Sequence, residues 1–501
     1  MNILLQHLKT LSEESPEQTV IKGIDTELSA LDLFIAIDKL SNCLTEMNVR
    51  VLGLYADNSP SWIVVDFACQ KANICLLPLP SFFSDQQLKH AITSSNIDCM
   101  IADNDDRIRS FLPKDESLSL LNVMDDMICW KFDQNLNATF PPNTNKITFT
   151  SGSTGTPKGV CLCNESLISV AQSLSKKIDI SNPHHLSLLP YSMLLENIAG
   201  IYVPLLSDGV VTAIPPEKTG IGGSSNLDVM TLLGTISHYQ PNSMILIPEL
   251  LKVIMIATEH GWQAPSSFQF IAVGGGKVSP QLIQKARERN LPVYEGYGLS
   301  ECASVVSLNC PGEDSPGTVG KPLPHIELKI VNQEIVVEGN SFLGYINEPE
   351  SWSSTQINTG DIGHFNNDGF LVIDGRKKNI LISSYGRNIH PEWIESEICG
   401  NPQIMQCFVF GDGKPFLTAL ISSYGEQNPE TDKLIDSWIS SKNSSLPDYA
   451  QVKAWHYLPV ALTKESGLLT SNGRPKREKI VETFENIIEN LYSKSIEEIV
   501  A

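Results

Sequence analysis

Thr150-Ser-Gly-Ser-Thr-Gly-Thr-Pro-Lys158-Gly159 gathers three glycines, five hydroxyl side chains and one lysine into a single run. Glycines let backbone N–H groups curl around an anion, hydroxyls donate further hydrogen bonds, and Lys158 supplies positive charge, so the run reads as a phosphate-binding loop. It is not a Walker loop, which ends in Gly-Lys-Ser/Thr and opens a helix. Here Pro157 precedes the lysine and Gly159-Val160 follow it, which counts against P-loop ATPases and kinases. Lys146-Ile-Thr-Phe-Thr150 and Val160-Cys-Leu-Cys163 both have strand character and place the loop between strands. Taken alone, a Ser/Thr/Gly run also has the composition of a flexible connection.

Outward from the loop, between Asp25 and about Ile330, helical patterns alternate with short apolar strands, the signature of layered α/β architecture. Ala30 to Leu44 predicts an amphipathic helix, Val51 to Tyr55 a buried strand, Ser61 to Ala72 a helix and Ile74 to Pro78 another strand. Pro248 suits the first turn of a helix running towards His260, and Ile271-Ala-Val273 is a strand entering Gly274-Gly-Gly276. Pro280 to Asn290 predicts a further helix, followed by the strand Pro292-Val-Tyr294. Beyond about Asp374 the texture changes: Gly375-Arg-Lys-Lys378 is a basic hinge candidate, and a second, smaller α+β unit follows. Within it, Gln406 to Phe410 and Pro415 to Ile421 read as antiparallel strands joined through Gly411-Asp-Gly413.

The 501 residues correspond to roughly three ordinary domains or fewer large α/β ones. Apolar content of 42% against 19% charged residues is globular. The formal charge of −21 counts against a nucleic-acid partner, because neutralising phosphates needs clustered Lys and Arg. The amino terminus lacks a secretory pattern, and the greasiest stretches are broken by Pro78, Pro80, Pro248, Glu249 and Lys252, so no transmembrane segment is expected. Eleven cysteines without paired metal spacing fit reduced thiols and a cytoplasmic location.

Four further segments converge on nucleotide chemistry. Glu295-Gly-Tyr-Gly-Leu-Ser-Glu301 gathers an aromatic ring, glycines, a hydroxyl and a carboxylate into what reads as one turn. Pro316-Gly-Thr-Val-Gly-Lys-Pro322 follows. Asn358-Thr-Gly-Asp-Ile-Gly363 presents a carboxylate suited to vicinal ribose hydroxyls, and Asp374-Gly-Arg376 supplies a bidentate contact beside the domain junction. In this order and spacing the segments resemble the adenylate-forming superfamily of acyl- and aryl-CoA ligases, peptide-synthetase adenylation domains and firefly luciferase, over nearly the whole chain.

The resemblance implies an amino-terminal adenylation domain, residues 1–375, built of several subdomains of layered sheets and helices, and a mobile carboxy-terminal domain, residues 376–501, hinged near Lys378. It implies that a carboxylate attacks the α-phosphate of ATP to give acyl-AMP, after which a thiol displaces AMP. By similarity, Thr150, Ser151, Gly152, Ser153, Thr154, Gly155 and Lys158 hold phosphates, and Thr150 with Glu301 holds Mg²⁺. Tyr297, flanked by Gly296 and Gly298, stacks on adenine, with Gly275 and Glu295 on its rim. Ser300 touches the α-phosphate, Asp361 the ribose, and Arg376 adds a phosphate or ribose contact. Gly274 and Met193 border the acyl group, and Gly386 lines the pantetheine tunnel.

Two departures stand out. The family places a lysine near its carboxy terminus that bridges substrate carboxylate and α-phosphate, whereas counting back from Arg477 in Gly473-Arg-Pro-Lys-Arg477 puts Arg474 there, with Lys476 as the rival. Leu189-Pro-Tyr-Ser-Met-Leu-Leu-Glu196 carries Met193 where many relatives have histidine or an aromatic; methionine suits an aliphatic wall or simple core filling. His184 and His185 read as surface turn residues. The expectation is an ATP-dependent acid–thiol ligase that makes an acyl-CoA from a medium- or long-chain fatty acid. The alternatives are an acyl-AMP ligase loading the phosphopantetheine of a separate carrier protein, and a non-catalytic nucleotide- or acyl-binding regulator.

Overall fold

A computed structural model describes residues 2–103, 105–112, 121–124, 127–131, 138–150, 157–222, 227–384, 387–424, 428–458, 460–470 and 473–500. Among them, two large sheets carry the amino-terminal part. The first runs, edge to edge, through Lys321–Pro322, Ser304–Leu308, Val293–Leu299, Phe270–Val273, Ser243–Leu246, His184–Leu186, Val210–Thr212, Thr19–Lys22 and Glu27–Ser29. The second runs through Gly344–Tyr345, Lys158–Leu162, Lys146–Thr150, Cys75–Pro78, Val51–Tyr55, Cys99–Ala102, Met127–Lys131 and Leu121–Met124. The central pairings are parallel, as crossover helices require.

Helix Pro60–Ala72 shows why the core sits between these sheets. Ser59 caps it by accepting from Trp62 N–H, Pro60 occupies the first turn, and Asn73 ends it in the left-handed conformation at φ 56°. Trp62, Ile63, Val65 and Phe67 are fully buried, so the helix is apolar nearly all round and needs cover on both sides. Ala30–Glu46 is held at its start by a reciprocal cap between Ser29 and Asp32 and packs on that helix.

A four-stranded antiparallel sheet, Ile326–Val331, Glu334–Gly339, Gln356–Phe365 and Leu371–Arg376, leads to the smaller domain. There, Ile404–Phe410, Leu417–Ser423 and Val452–Tyr457 form a sheet backed by Pro391–Ile398, Pro429–Asn443 and Arg477–Val500, with its own core of Ile394, Val409, Ala419 and Ile435. The architecture is therefore a large α/β amino-terminal domain with a small α+β partner. Among the described residues no helix is long and apolar enough to cross a membrane.

Two local expectations need correction. Glu295 to Glu301 is not one turn: Val293–Leu299 is a strand pairing antiparallel with Ser304–Leu308, and only Ser300–Cys302 turns. His184 and His185 are not surface turn residues either. They lie in a strand bonded on both sides, and His185 is 2% exposed.

Candidate active site

Thr150 and Lys158 are the last Cα partners of the hairpin formed by Lys146–Thr150 and Lys158–Leu162, so the glycine-hydroxyl loop is tied at its base. Ser151, Gly152, Ser153, Thr154 and Gly155 lie outside the described residues, as does Gly386. Lys158 Nζ pairs with Glu348 Oε1 at 2.9 Å and lies 4.8 Å from the centre of the Tyr345 ring. The Tyr345 hydroxyl in turn donates to Glu301 Oε1 at 2.8 Å. Lys158, expected at the phosphates, and Glu301, expected at the metal, thus share one aromatic neighbour.

Across the cleft, Tyr297 projects from Val293–Leu299, and its hydroxyl donates to Asp361 Oδ2 at 2.6 Å. Burial, then the Asp361 charge, pushes the phenol well above its ordinary range. Asp361, 3% exposed, also receives Arg376 Nε at 2.6 Å, because the two residues are Cα partners in adjacent strands. A Cβ at Gly298 would collide with the Ser304 carbonyl, and Gly275 takes φ +86°, so both glycines are required by backbone shape.

Glu295 lies on the same strand as Tyr297 and is 4% exposed. Its buried carboxyl accepts from Val278 N–H at 3.2 Å, and burial raises its pKa to about 8. Lys277, the neighbouring cation, is itself pushed down by burial while Glu295 opposes the shift, and its Nζ donates to Ile373 O at 2.8 Å.

Thr150, Gly274, Gly275, Gly296, Tyr297 and Ser300 open onto a cavity of about 210 Å³ whose walls include Met193, Leu195, Ala199, Phe149 and Ala272. The nucleotide candidates and the acyl candidates Met193 and Gly274 therefore border one continuous space.

Arg474, on the smaller domain, lies within electrostatic reach of Arg376, Asp361, Tyr297 and Glu301. The residue keeps an exposed surface, while its guanidinium is crowded by protein: burial, then the like charge of Arg376, lowers its pKa, and Asp361, Tyr297 and Glu301 act in the opposite sense. Its backbone N–H donates to Thr470 Oγ1 at 3.1 Å, which fixes the turn that carries it. Lys476 shows no such neighbours: burial and Lys479 lower its pKa, and its N–H is tied to Leu468 O. Lys378 is lowered by burial, then by Arg376 and Arg474, which puts the hinge candidate beside the same cations.

Among the described residues no three His, Cys, Asp or Glu side chains cluster as a metal cage. Mg²⁺ carried by a polyphosphate typically takes one or two carboxylates and keeps its other positions for phosphate and water. Glu301 would supply one carboxylate, with Thr150 on the neighbouring hairpin. Sequence reasoning missed three features: the ring of Tyr345 between Lys158 and Glu301, Lys252 bridging the two domains, and a buried Ser243–His185–Glu196 chain in the cavity wall. None has a local motif, since each joins residues remote in sequence.

Family models for AMP-binding enzymes match residues 8–346, and those for the AMP-binding enzyme C-terminal domain match residues 378–496. The chain is 23% identical to the long-chain-fatty-acid–CoA ligase FadD15 of Mycobacterium tuberculosis, covering 95% of this chain and 94% of that protein. It is 26% identical to the human long-chain-fatty-acid–CoA ligase 6, covering 89% and 79%. The anthranilate CoA ligase AuaEII, solved with anthranoyl-AMP, superposes with a TM-score of 0.81 at 17% identity over 96% of each chain. The o-succinylbenzoate coenzyme A synthetase of Bacillus subtilis, solved with AMP, does so with a TM-score of 0.72 at 20% identity, covering 94% and 97%. With both family models matched in order across the two domains, the chain belongs to the AMP-binding enzyme family.

Proposed function

We propose that the protein is an ATP-dependent acid–thiol ligase that converts an aliphatic carboxylic acid, of medium or long chain, to acyl-AMP and passes the acyl group to CoA. The observation that carries this reading is the single cavity that joins the Tyr297, Gly275 and Ser300 cluster to apolar walls at Met193, Leu195 and Ala199. Relatives named long-chain-fatty-acid–CoA ligases support the aliphatic acid and the CoA acceptor.

In the first step a carboxylate oxygen bonds to the α-phosphorus of ATP and the bond to pyrophosphate breaks. Such displacements are helped chiefly by positioning and by charge on the phosphoryl oxygens. Arg474 is assigned to the incoming carboxylate and α-phosphate, Lys158 and the Thr150–Gly155 loop to the β- and γ-phosphates, and Ser300 to the α-phosphate. Asp361, held by Tyr297 and Arg376, offers acceptors to the ribose hydroxyls. Mg²⁺, held by Glu301 and Thr150 with the phosphates, would neutralise charge on the departing pyrophosphate. In the second step the thiol sulfur bonds to the acyl carbon and AMP leaves, with Gly386 assigned to the thiol path and Lys378 to the hinge between the steps.

Acid-dependent pyrophosphate release over a panel of acids, followed by mass spectrometry of the thioester formed with CoA or with a holo-carrier protein, tests the reading. Release without any thioester to CoA would remove the acceptor assignment, and no release with any acid would remove the function.

A further inference from the structure

The apolar cavity carries a buried polar chain that neither adenylation nor thiol transfer uses. Ser243 Oγ lies 3.0 Å from His185 Nδ1, and His185 Nε2 lies 3.0 Å from Glu196 Oε1. His185 is 2% exposed, Glu196 0% and Ser243 9%. His185 and Ser243 line the cavity beside Met193, Ala199, Ile245 and Ala272. The chain is a built feature. A Cβ at Gly200 would stand 2.9 Å from His185 Nε2 and closer still to Glu196, so glycine is what admits the pair. Glu196 opens the π-helical turn Glu196–Tyr202, a distortion frequent at functional sites.

One tautomer of His185 satisfies every partner in the chain. Glu196 Oε2 accepts from Leu189 N–H at 3.4 Å, and in the tautomer that places the proton of a neutral imidazole on Nε2, His185 donates to Glu196 Oε1. Nδ1 is then an acceptor, so the Ser243 hydroxyl donates to it. Ser243, which lines the cavity, then spends its one proton on the histidine, and its Oγ keeps only acceptor lone pairs. A plain methylene chain passing Ser243 leaves those lone pairs without a partner, whereas an alcohol O–H satisfies them.

We propose that this chain is a specificity site for an oxygenated acid: Ser243, oriented by His185 and Glu196, accepts a hydrogen bond from a hydroxyl group on the substrate's hydrocarbon chain. The site favours an alcohol over a ketone or ether of the same length, because those groups bring only acceptors to an acceptor. The hydroxyl lies well away from the carboxyl end. Gly274 N–H is bonded to Leu246 O, and Ser243 stands three residues earlier on the same strand, ~10 Å at strand rise. The inference rests on the acid-ligase reading of the cavity.

The test is kcat/KM for acid-dependent pyrophosphate release with sets of equal-length acids: unsubstituted, hydroxylated at successive positions remote from the carboxyl, and the matching oxo acids. One hydroxy position is expected to exceed its unsubstituted parent by about tenfold or more, with no gain for the oxo acid, and Ser243→Ala is expected to abolish that advantage. The wild-type comparison of hydroxy with oxo acids decides even if the variant does not fold. Turnover of unsubstituted acids with no hydroxy advantage at any position, or an advantage that survives in Ser243→Ala, overturns this inference alone. No turnover with any acid overturns the ligase reading from which it starts.

Discussion

Tyr297 and Asp361 are joined by a 2.6 Å hydrogen bond across 64 positions of sequence, and Arg376 closes on the other oxygen of the same carboxylate at 2.6 Å. The carboxylate is thereby held by two donors, and under the proposed function its remaining lone pairs would meet the ribose hydroxyls. Asp361→Ala removes both anchors and leaves Arg376 without its partner. A hydrogen bond to a charged group contributes about 1.5–3 kcal/mol, so ATP affinity should fall about 10- to 100-fold. Calorimetric ATP titration of the folded variant checks this. Unchanged affinity would take Asp361 out of the nucleotide site.

Arg474 and Lys476 are separated by one residue yet face different surroundings. Arg474 feels Arg376, Asp361, Tyr297 and Glu301, whereas Lys476 feels Lys479. Arg474→Ala should lower acid-dependent pyrophosphate exchange by about 100-fold or more, as loss of a charge-stabilising donor does elsewhere, while Lys476→Ala should change it only several-fold. The reverse order would transfer the role to Lys476. Normal exchange in both variants would remove the segment from adenylation.

Lys252, 7% exposed on helix Pro248–Glu259, sends its ammonium across the domain junction to the carbonyls of Ile404 and Met405 at 3.5 and 3.4 Å. Those contacts tie the large domain to the small domain in the arrangement that brings Arg474 near Asp361, Tyr297 and Glu301. Lys252→Met should therefore slow acyl-AMP formation by about three- to tenfold without slowing thioester formation from supplied acyl-AMP. Single-turnover measurement of each step separates the two. Equal slowing of both would mean that Lys252 is merely structural.

Much of this was legible in the sequence, and the failures share a cause. The strands around Thr150–Lys158 and the helix Pro60–Ala72 announce themselves by local alternation, caps and proline placement. Tyr297, Asp361 and Arg376 are visible as motif residues, but their mutual bonding depends on pairing between strands remote in sequence. Glu295-Gly-Tyr-Gly reads as a turn from its glycines, until antiparallel pairing with Ser304–Leu308 draws it out as a strand. His184-His185 follows Asn182-Pro183 and so reads as surface. Its neighbours on either side, Val210–Thr212 and Ser243–Leu246, come later in the chain, and only they make it central.

Glu295 gives the protein a pH-dependent stability. Its pKa is raised by burial from 4.5 to about 8, so between those values the folded state holds a proton that the unfolded state has lost. The resulting stability is fully present below about pH 4.5 and disappears as pH rises through 8, at about 1.4 kcal/mol per pH unit in between. Glu295→Gln keeps the shape and cannot ionise. Its Tm should lack the part of the decline between pH 5 and 8 that the parent shows, and identical profiles would refute the assignment.

Lys146 is 1% exposed, and its Nζ contacts Asp66 Oδ1 at 2.9 Å, Asn197 Oδ1 at 2.5 Å and the Tyr202 hydroxyl at 2.9 Å. Asp66 is equally buried and also accepts from Asn197 Nδ2 and Tyr202, so one ion pair stitches the strand carrying Thr150 to the helices behind the cavity. Lys146→Met strands the Asp66 carboxylate in an apolar core and should cost about 3–5 kcal/mol in denaturant unfolding. The double change Lys146→Met with Asp66→Leu removes both charges and should recover most of that loss. If the single variant is as stable as the parent, the network is not what holds the base of the Thr150–Lys158 hairpin in place.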